Sequence, residues 1–404
     1  MEADTEAPDR GEMPPRMEPL LIGGDSRHRA ALTDLALELA QKSAGLHRSL
    51  PSSLLASLAD LVRAMNCYYS NFIEGHNTHP VDIERALRDD YSHDTRKRDL
   101  QLEARAHIAV QAWIDGGGLQ GGHALTAEGI REIHRRFCES LPDGFMWVED
   151  PATQARLRLA PGELRRRDVV VGRHVAISPG AVPRFLQRFE EVYAGLGKTE
   201  SILATAAAHH RLTWIHPFLD GNGRVARLMS HAALLETLDT GAVWSAARGL
   251  ARRVQEYKAL LANCDLTRRN DLDGRGNLSE EALAAFTRFF LTVCIDQVDF
   301  MESLVQPDRL RARILQWAAE EVRLGALPPR SGGILEAVLY RGELPRAEAD
   351  TVVGTGPRQA RRIVSALVEK RVLISASPRA PLRLAFPAAL ASRWMPGLFP
   401  EQTD

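Results

Sequence analysis

The side chains best suited to chemistry are concentrated in one stretch of twelve residues, His216–Arg227. His216 is of a residue type that titrates near neutrality, so an imidazole there can accept and return a proton at cellular pH. Asp220 offers a carboxylate, the kind of ligand that Mg²⁺ prefers. The Gly221-Asn222-Gly223 triplet allows the backbone to turn and direct N–H groups at an anion, where a helix is predicted to begin. These residue types favour chemistry on a phosphate.

Two arginines extend this stretch. Arg224 and Arg227 are three residues apart at the start of the predicted helix, so both guanidinium groups lie on one face and can bind the same polyphosphate. Taken singly, these features are also compatible with a tight turn, a helix cap and ordinary surface charge. Taken together, they predict a nucleotide-binding catalytic loop.

In order and spacing the stretch resembles the signature of the Fic/Doc family, His-x-Phe-x-Asp/Glu-Gly-Asn-Gly-Arg-x-x-Arg, and it fills every specified position. The resemblance implies a protein adenylyltransferase (AMPylase), a nucleotidyltransferase that moves AMP from ATP to a Ser, Thr or Tyr hydroxyl of a target protein, which can be the chain itself. It implies that His216 deprotonates the hydroxyl and that Asp220 holds Mg²⁺ as cofactor. It also implies that the phosphates bind to Gly221, Asn222 with its side chain, Gly223, Arg224 and Arg227.

A second motif lies upstream, at the predicted end of a helix. Ser70, Glu74 and Gly75 match the family's inhibitory-helix motif, Ser/Thr-x-x-x-Glu-Gly/Asn, and their place before the core resembles the subclass with an N-terminal inhibitory helix. By spacing alone, a Glu before a terminal Gly is more often solvated surface. The resemblance implies autoinhibition, in which Glu74 pairs with Arg227 and takes the place of the γ-phosphate. It leaves open whether Glu74 also helps to remove AMP from a modified target.

Length and composition indicate a soluble chain of more than one domain. Its 404 residues exceed one ordinary core, and they are 45% hydrophobic and 25% charged. Lys and Arg number 51 against 52 Asp and Glu, so the net charge favours no class of partner. The four cysteines lack metal-type spacing, and no run of about 18 apolar residues occurs. We therefore expect a cytoplasmic protein without a signal peptide, a structural disulfide or membrane contact.

Patterning along the chain predicts a mainly α-helical fold in several parts. Leu and Ala recur at helical spacing, and Pro and Gly clusters separate these stretches. The resemblance adds a Fic-type helical bundle with a small β-hairpin flap. The predicted parts are a flexible tail rich in Glu, Asp, Pro and Gly (residues 1–26), a helical region with the inhibitory helix (27–120), the catalytic core (121–240), a helical extension (241–327) and a winged-helix-like domain (328–404).

The flap is placed by a valine-rich run upstream of the catalytic loop. Val169-Val170-Val171-Gly172 predicts a short β-hairpin within residues 156–178. In the family a hairpin flap lies over the active site, and its edge aligns the target's main chain as an added strand. We assign this edge to Asp168, Val169, Val170 and Val171, with an ordinary surface hairpin as the alternative. The basic run Arg165–Arg167 is interpreted as a solvated edge.

The C-terminal part is predicted to contain short helices at 334–340, 346–352 and 357–369 and strands at 372–374 and 382–384, an order typical of a winged helix. Arg358, Arg361 and Arg362 give its third helix a basic face suited to DNA. Protein contact, including homodimer formation, is an equal alternative. A second hypothesis is therefore a DNA-binding regulator with a nucleotide-sensing Fic domain. A third is a Fic enzyme with another donor, since some relatives transfer phosphate or phosphocholine.

Overall fold

Helices make up most of the chain. The computed structural model describes residues 7–150 and 154–400, and the mainly helical fold predicted from the sequence is confirmed. In the described part of the chain, no helix is both long and apolar enough to cross a membrane. The helices are α1 (Arg29–Arg48), α2 (Ser52–Ile73), α3 (Pro80–Ala86), α4 (Thr95–Asp115), α5 (Ala127–Glu139), α6 (Val182–Tyr193), α7 (Lys198–Ile215), α8 (Asn222–Thr237), α9 (Ala246–Arg252), α10 (Val254–Asn263), α11 (Glu280–Val305), α12 (Pro307–Arg323), α13 (Ser331–Arg341), α14 (Ala349–Val353), α15 (Pro357–Glu369) and α16 (Ala391–Trp394).

Short strands form three small antiparallel sheets. The pairs are β1 (Trp147–Glu149) with β2 (Arg156–Arg158), β3 (Val170–Val171) with β4 (His174–Val175), and a three-stranded sheet in the order β5 (Glu343–Leu344), β7 (Leu382–Leu384), β6 (Leu373–Ile374). A hairpin does form within the predicted range 156–178, between β3 and β4, but it is shorter than that range. β2 pairs backward with β1, and the later hairpin holds only β3 and β4. Strands of two or three residues carry too little alternation for the sequence to reveal their partners.

The core is built around α7 and α8, which pack along each other and are joined by the catalytic-loop sequence. Every residue of α7 from Ile202 to Leu212 is buried. α1, α6 and α11 lie against α7, whereas α4 and α5 lie against α8. Because α7 is buried along this length, neighbouring elements cover all its faces, including the polar side chains of His209, His210 and Arg211. The loop between α7 and α8 therefore joins two helices of the buried core.

The predicted inhibitory helix, α2, lies between the core and the C-terminal unit. It packs on α4 and α9, and its C-terminal end reaches α8. Its apolar stripe, which includes Leu58 and Val62, is fully buried. On its other side, the Ser57 hydroxyl donates to the Leu384 carbonyl at 2.5 Å and the Tyr69 hydroxyl donates to the Leu398 carbonyl at 3.0 Å. The C-terminal part of the chain thus contributes to the surroundings of this helix.

Residues 7–26 differ from the flexible tail predicted for residues 1–26, of which 1–6 lie outside the described part. Met17 is fully buried. Arg10 Nη1 lies 2.9 Å from a carboxylate oxygen of Asp168, and Glu12 accepts the Ser178 N–H at 2.9 Å. Burial of one large apolar side chain contributes about 2 kcal/mol, and such contributions offset the ordering of a polar segment. Composition alone does not reveal these long-range pairs.

The C-terminal unit contains the elements that the sequence predicts, and one more. Helices α13, α14 and α15 correspond to the three predicted helices, and β6 and β7 to the two predicted strands. The additional strand, β5, has two residues and pairs with β7. The assignment of this unit to the winged-helix class, and the domain boundaries given above, stay predictions.

Candidate active site

His216 lies where α7 ends, in the left-handed region with a φ of 51°. This conformation costs a non-glycine residue on the order of 1 kcal/mol, so the surrounding contacts impose it. Its Nδ1 lies 3.2 Å from the Thr213 carbonyl oxygen. Because a carbonyl can only accept, Nδ1 carries the ring hydrogen and Nε2 is left as a proton acceptor.

The protonation state of His216 suits a base. Burial lowers its pKa to about 4, with a contribution from the charge of Arg165 and against the hydrogen bond to the Thr213 carbonyl. The imidazole is therefore neutral at pH 7, and Nε2 can accept a proton. The residue remains partly exposed, so a substrate can reach it.

Arg165 anchors the backbone at His216. It is only 2% exposed, and it donates from Nε to the His216 carbonyl at 2.7 Å and from Nη2 to the Ile177 carbonyl at 2.5 Å. Its main-chain N–H donates to the Pro217 carbonyl at 2.9 Å. Burial lowers the pKa of Arg165 to about 10, which leaves it charged at neutral pH. The interpretation of residues 165–167 as a solvated edge is corrected for Arg165 alone, since Arg166 and Arg167 are exposed, and nothing in the sequence separates Arg165 from its two neighbours.

Phe218 and Asn222 fix the shape of the loop. Phe218 is fully buried and stacks on His134, with 3.8 Å between the ring centroids. The Asn222 amide accepts from the Phe218 N–H at 3.0 Å and donates to the Phe218 carbonyl at 2.9 Å. Asn222 is 2% exposed, and Oδ1 and one N–H of its amide are engaged with the loop backbone, so phosphate binding by this side chain stays a prediction.

The helix start beyond the loop can bind an anion. Gly221 has a φ of 81°, α8 begins at Asn222, and the Val225 N–H donates to the Gly221 carbonyl at 2.9 Å. The N–H groups of Asn222, Gly223 and Arg224 therefore have no acceptor within the helix. Together with the helix dipole, they favour a negatively charged group at this point.

Asp220 stands beside this helix start, with 52% of its side chain exposed and Oδ2 3.5 Å from Nη2 of Arg224. Within the described residues, no cluster of three His, Cys, Asp or Glu side chains could hold a metal ion by itself. A single exposed carboxylate nevertheless fits Mg²⁺, which is commonly held by one or two carboxylates together with substrate phosphates and water.

Glu74 covers the start of α8. Its Oε1 lies 2.5 Å from Nη2 of Arg227. A β-carbon added to Gly223 would lie 2.5 Å from the same oxygen, so a larger residue there would displace the Glu74 carboxylate. Burial raises the pKa of Glu74, but the charge of Arg227, its hydrogen bond and the charge of Arg224 together outweigh burial, so the pKa lies below its ordinary value. A carboxylate thus occupies the place that the helix start offers to an anion.

Ser70 and Gly75 complete this arrangement, as the upstream motif predicts. Nε of Arg227 donates to the Ser70 hydroxyl at 2.9 Å, and Nη2 donates to the Ser70 carbonyl at 3.1 Å. Gly75 has a φ of 86° and follows the C-cap of α2. The motif therefore places one hydroxyl, one carbonyl and one carboxylate on the same guanidinium group.

Arg224 is held by a residue that the sequence analysis did not select. Its Nη1 pairs with Oε1 of Glu103, whose side chain has no exposed area. Nδ1 of His76 lies 2.8 Å from the other oxygen, Oε2. A weak signal exists in the sequence, since Glu103 follows the apolar Leu100 by three residues and so lies on its face of α4.

The β3–β4 hairpin lies beside the end of α7. Nε2 of His174, in β4, lies 2.7 Å from the Trp214 carbonyl oxygen, two residues before His216. Val170 and Val171 are 63% and 45% exposed, and within the described ranges β3 pairs with β4 alone. The strand is shorter than the predicted edge, because Asp168 and Val169 precede it and Asp168 is bound by Arg10.

The predicted basic face belongs to a separate surface. Arg358, Arg361 and Arg362 are exposed on α15, which packs on α13, α14 and β6. None of these elements contributes to the loop between α7 and α8. The structure therefore unites the two predicted motifs but leaves these arginines apart from them.

The chain is similar in sequence to known proteins. Residues 124–234 match the model of the Fic/DOC family. The protein adenylyltransferase Fic of Drosophila erecta is 29% identical over 170 residues, 42% of this chain and 31% of the relative. That of Culex quinquefasciatus is 30% identical over 195 residues, 46% of this chain and 35% of the relative. The chain thus spans about a third of the length of the curated relatives it matches.

A solved structure shares the fold. A Fic family protein from Desulfovibrio desulfuricans G20 has a TM-score of 0.51 and 17% identity, over 90% of this chain and 98% of that chain. At this identity the likeness concerns the fold alone.

Proposed function

We propose that this chain, in which residues 124–234 form a Fic/DOC-family domain, is a protein adenylyltransferase that transfers AMP from ATP to a Ser, Thr or Tyr hydroxyl of a protein. One observation carries the proposal: a neutral His216 with Nε2 free to accept stands at one end of a short loop, and the anion-binding start of α8 stands at the other. The two insect relatives bear the name of this activity.

The transfer follows from these positions. The hydroxyl oxygen attacks the α-phosphorus of ATP while Nε2 of His216 accepts the hydroxyl proton. The bond from the α-phosphorus to the bridging oxygen breaks, and pyrophosphate leaves with that electron pair. The N–H groups at the start of α8 stabilise the phosphate charge, and Arg224 and Arg227 bind the β- and γ-phosphates. Asp220 would hold Mg²⁺, which when bound would neutralise part of the pyrophosphate charge.

Glu74 inhibits the proposed enzyme. A γ-phosphate at Arg227 needs the same guanidinium edge that Glu74 occupies, with the support of Ser70. ATP that binds beside the carboxylate is displaced, so its α-phosphorus is not in line with the attacking hydroxyl. Glu74 and Gly75 follow the last residue of α2. A movement of this segment can therefore take the Glu74 carboxylate away from Arg227 without unfolding the helix.

The β3–β4 hairpin, the predicted flap, provides a docking edge for the target protein. The exposed edge of β3 can accept an extended target segment as an added strand, which supports the assignment of Val170 and Val171 to docking. Because β4 is bonded to the end of α7, a target on this hairpin lies close to His216.

Labelled ATP tests the activity and the donor orientation together. The Glu74→Gly variant is incubated with Mg²⁺, a cell lysate and ATP labelled on either the α- or the γ-phosphate. Relative to the same lysate with the Glu74→Gly/His216→Ala variant, additional label on protein is expected from α-labelled ATP alone. Label from γ-labelled ATP would instead indicate phosphate transfer, and mass spectrometry of labelled proteins would identify the target.

The three exposed arginines of α15 favour a second candidate function, DNA binding by the C-terminal unit. Within the described residues, Arg358, Arg361 and Arg362 form no ion pair, so their charge is available to phosphates. A gel-shift assay with duplex DNA tests it. Binding that is lost on changing all three to Gln supports the proposal, and equal migration with and without protein contradicts it.

A further inference from the structure

We propose that Glu103 is a positioning residue that holds Arg224 in the orientation needed for nucleotide phosphates. The inference rests on the proposed function and names a residue outside both motifs. Glu103 lies in α4, 121 positions before Arg224, and its carboxylate pairs with Nη1 of that arginine. The Glu103 side chain has no exposed area and that of Arg224 has 8%, so water does not screen the pair.

The surroundings of Arg224 fix it in more than one direction. Nη1 faces Glu103, Nη2 lies 3.5 Å from Oδ2 of Asp220, and the guanidinium carbon lies 5.0 Å from the centre of the Phe137 ring. Nε is buried and has no hydrogen-bond partner within the described residues. A guanidinium group has five N–H donors in one plane, so it can bind the Glu103 carboxylate and a phosphate on different edges.

Glu103 differs in kind from the inhibitory carboxylate. Glu74 follows the last residue of α2, with 33% of its side chain exposed, so it can leave Arg227 when the segment moves. Glu103 lies inside a helix of 21 residues and is fully buried between α4 and α8. It remains with Arg224 whichever position Glu74 takes. A fixed carboxylate of this kind orients the arginine and does not act as a switch.

His76 supports Glu103 from the segment that follows the inhibitory motif. Its Nδ1 lies 2.8 Å from Oε2 of Glu103, and its ring stacks on Phe145 with 5.4 Å between centroids. One carboxylate oxygen therefore faces Arg224 and the other faces His76. A substitution of His76 should also loosen the position of the Arg224 guanidinium, but less than a substitution of Glu103 does.

The test separates positioning from general stability. KM for ATP and kcat are measured for Glu103→Gln and Glu103→Asp, both in the Glu74→Gly background. Loss of a charged hydrogen bond predicts a KM about tenfold or more higher for Glu103→Gln, with a smaller change in kcat, and partial recovery in Glu103→Asp. Calorimetric titration with ATP should show the same ratio of affinities without any transfer.

Asp115 supplies the matched control. It is a second carboxylate of α4, 5% exposed, and it pairs with Arg63 at 2.6 Å and His231 at 2.7 Å. Asp115→Asn should reduce thermal stability about as much as Glu103→Gln while leaving KM for ATP unchanged. A similar rise of KM in both variants would contradict the inference, because it would reflect loosening of the whole helix.

The KM for ATP of Glu103→Gln decides the role of Glu103. An unchanged KM in a folded Glu103→Gln protein overturns the positioning role, and tighter ATP binding would make Glu103 a second inhibitory carboxylate. If Glu103→Gln does not fold, His76→Gln decides: a higher KM supports the role and an equal KM opposes it. If the Glu74→Gly parent neither labels protein nor binds ATP, the proposed function fails first.

Discussion

Glu74 and Arg227 form an ion pair across 153 positions of the chain, with 2.5 Å between Oε1 and Nη2. The same carboxylate covers Gly223, so it competes with a phosphate for both the arginine and the start of α8. Two unit charges of one sign about 4 Å apart repel by about 4 kcal/mol at an effective dielectric constant near 20. This contact therefore has the strength to keep a nucleotide out of its productive position.

Removal of this carboxylate should strengthen ATP binding. In Glu74→Gly, the guanidinium of Arg227 and the N–H groups of α8 become available to the phosphates. We expect the Kd for ATP, measured by calorimetric titration with Mg²⁺, to fall by about tenfold or more. The repulsion between the Glu74 carboxylate and a phosphate sets the upper limit of this gain in affinity. Glu369→Gly is the matched control, since Glu369 is exposed at the end of α15. Equal affinities for the Glu74→Gly variant and the wild type would contradict the role of Glu74.

Loss of Arg165 should lower the rate and shift the pH profile. Arg165→Ala removes the bond to the His216 carbonyl and the charge that helps to depress the His216 pKa. The acid limb of kcat/KM, expected near pH 4 in the parent, should move to higher pH as kcat falls. Arg167→Ala, an exposed neighbour, should change neither. A fall in kcat without a shift of the limb would limit Arg165 to a structural role.

Two buried histidines should respond oppositely to the same substitution. Neither ring nitrogen of His107 has a partner within the described residues, whereas His209 bonds to Ser230 at 2.9 Å and to Tyr257 at 2.7 Å. His107→Leu removes an unsatisfied polar group, so the Tm should hold or rise. His209→Leu removes the partner of the Tyr257 hydroxyl, while the Ser230 hydroxyl keeps its bond to the Ala226 carbonyl at 2.8 Å, and should cost about 1–3 kcal/mol. Equal losses of Tm in the two variants would contradict this contrast.

Stability should fall in mild acid. Burial lowers the pKa of His107 and His209 to about 3 and that of His134 and His210 to about 4. In the unfolded chain these groups take up protons near pH 6.5, so unfolding binds protons below that pH and the folded state loses stability. Each group contributes a slope approaching about 1.4 kcal/mol per pH unit. Denaturant unfolding at pH 7, 6 and 5 checks this, and equal free energies of unfolding would contradict it.

The catalytic loop was predictable because its determinants are local. Within residues 216–227, glycine positions set the turn, and helical spacing sets the direction of Arg224 and Arg227. The pair between Glu74 and Arg227 is a long-range contact, and only the family resemblance indicated it. Spacing alone would have left Glu74 on the surface.

Arg165 and Glu103 were missed for a common physical reason. Each is a charged residue that becomes buried through one partner far along the chain, 51 positions away for Arg165 and 121 for Glu103. Charge in a single sequence indicates solvent exposure, and only the fold brings the compensating group near. The order of residues 7–26 was missed for the same reason, since the polar composition of this segment does not reveal its partners in the core.

The most direct test of autoinhibited AMP transfer is the rate at which labelled AMP from α-labelled ATP enters protein. Wild type, Glu74→Gly and the double variant Glu74→Gly/His216→Ala are compared at equal concentration with Mg²⁺. The account predicts slow incorporation by the wild type, incorporation at least about tenfold faster by Glu74→Gly, and none by the double variant. Equal incorporation by wild type and Glu74→Gly, or undiminished incorporation by the double variant, would contradict it.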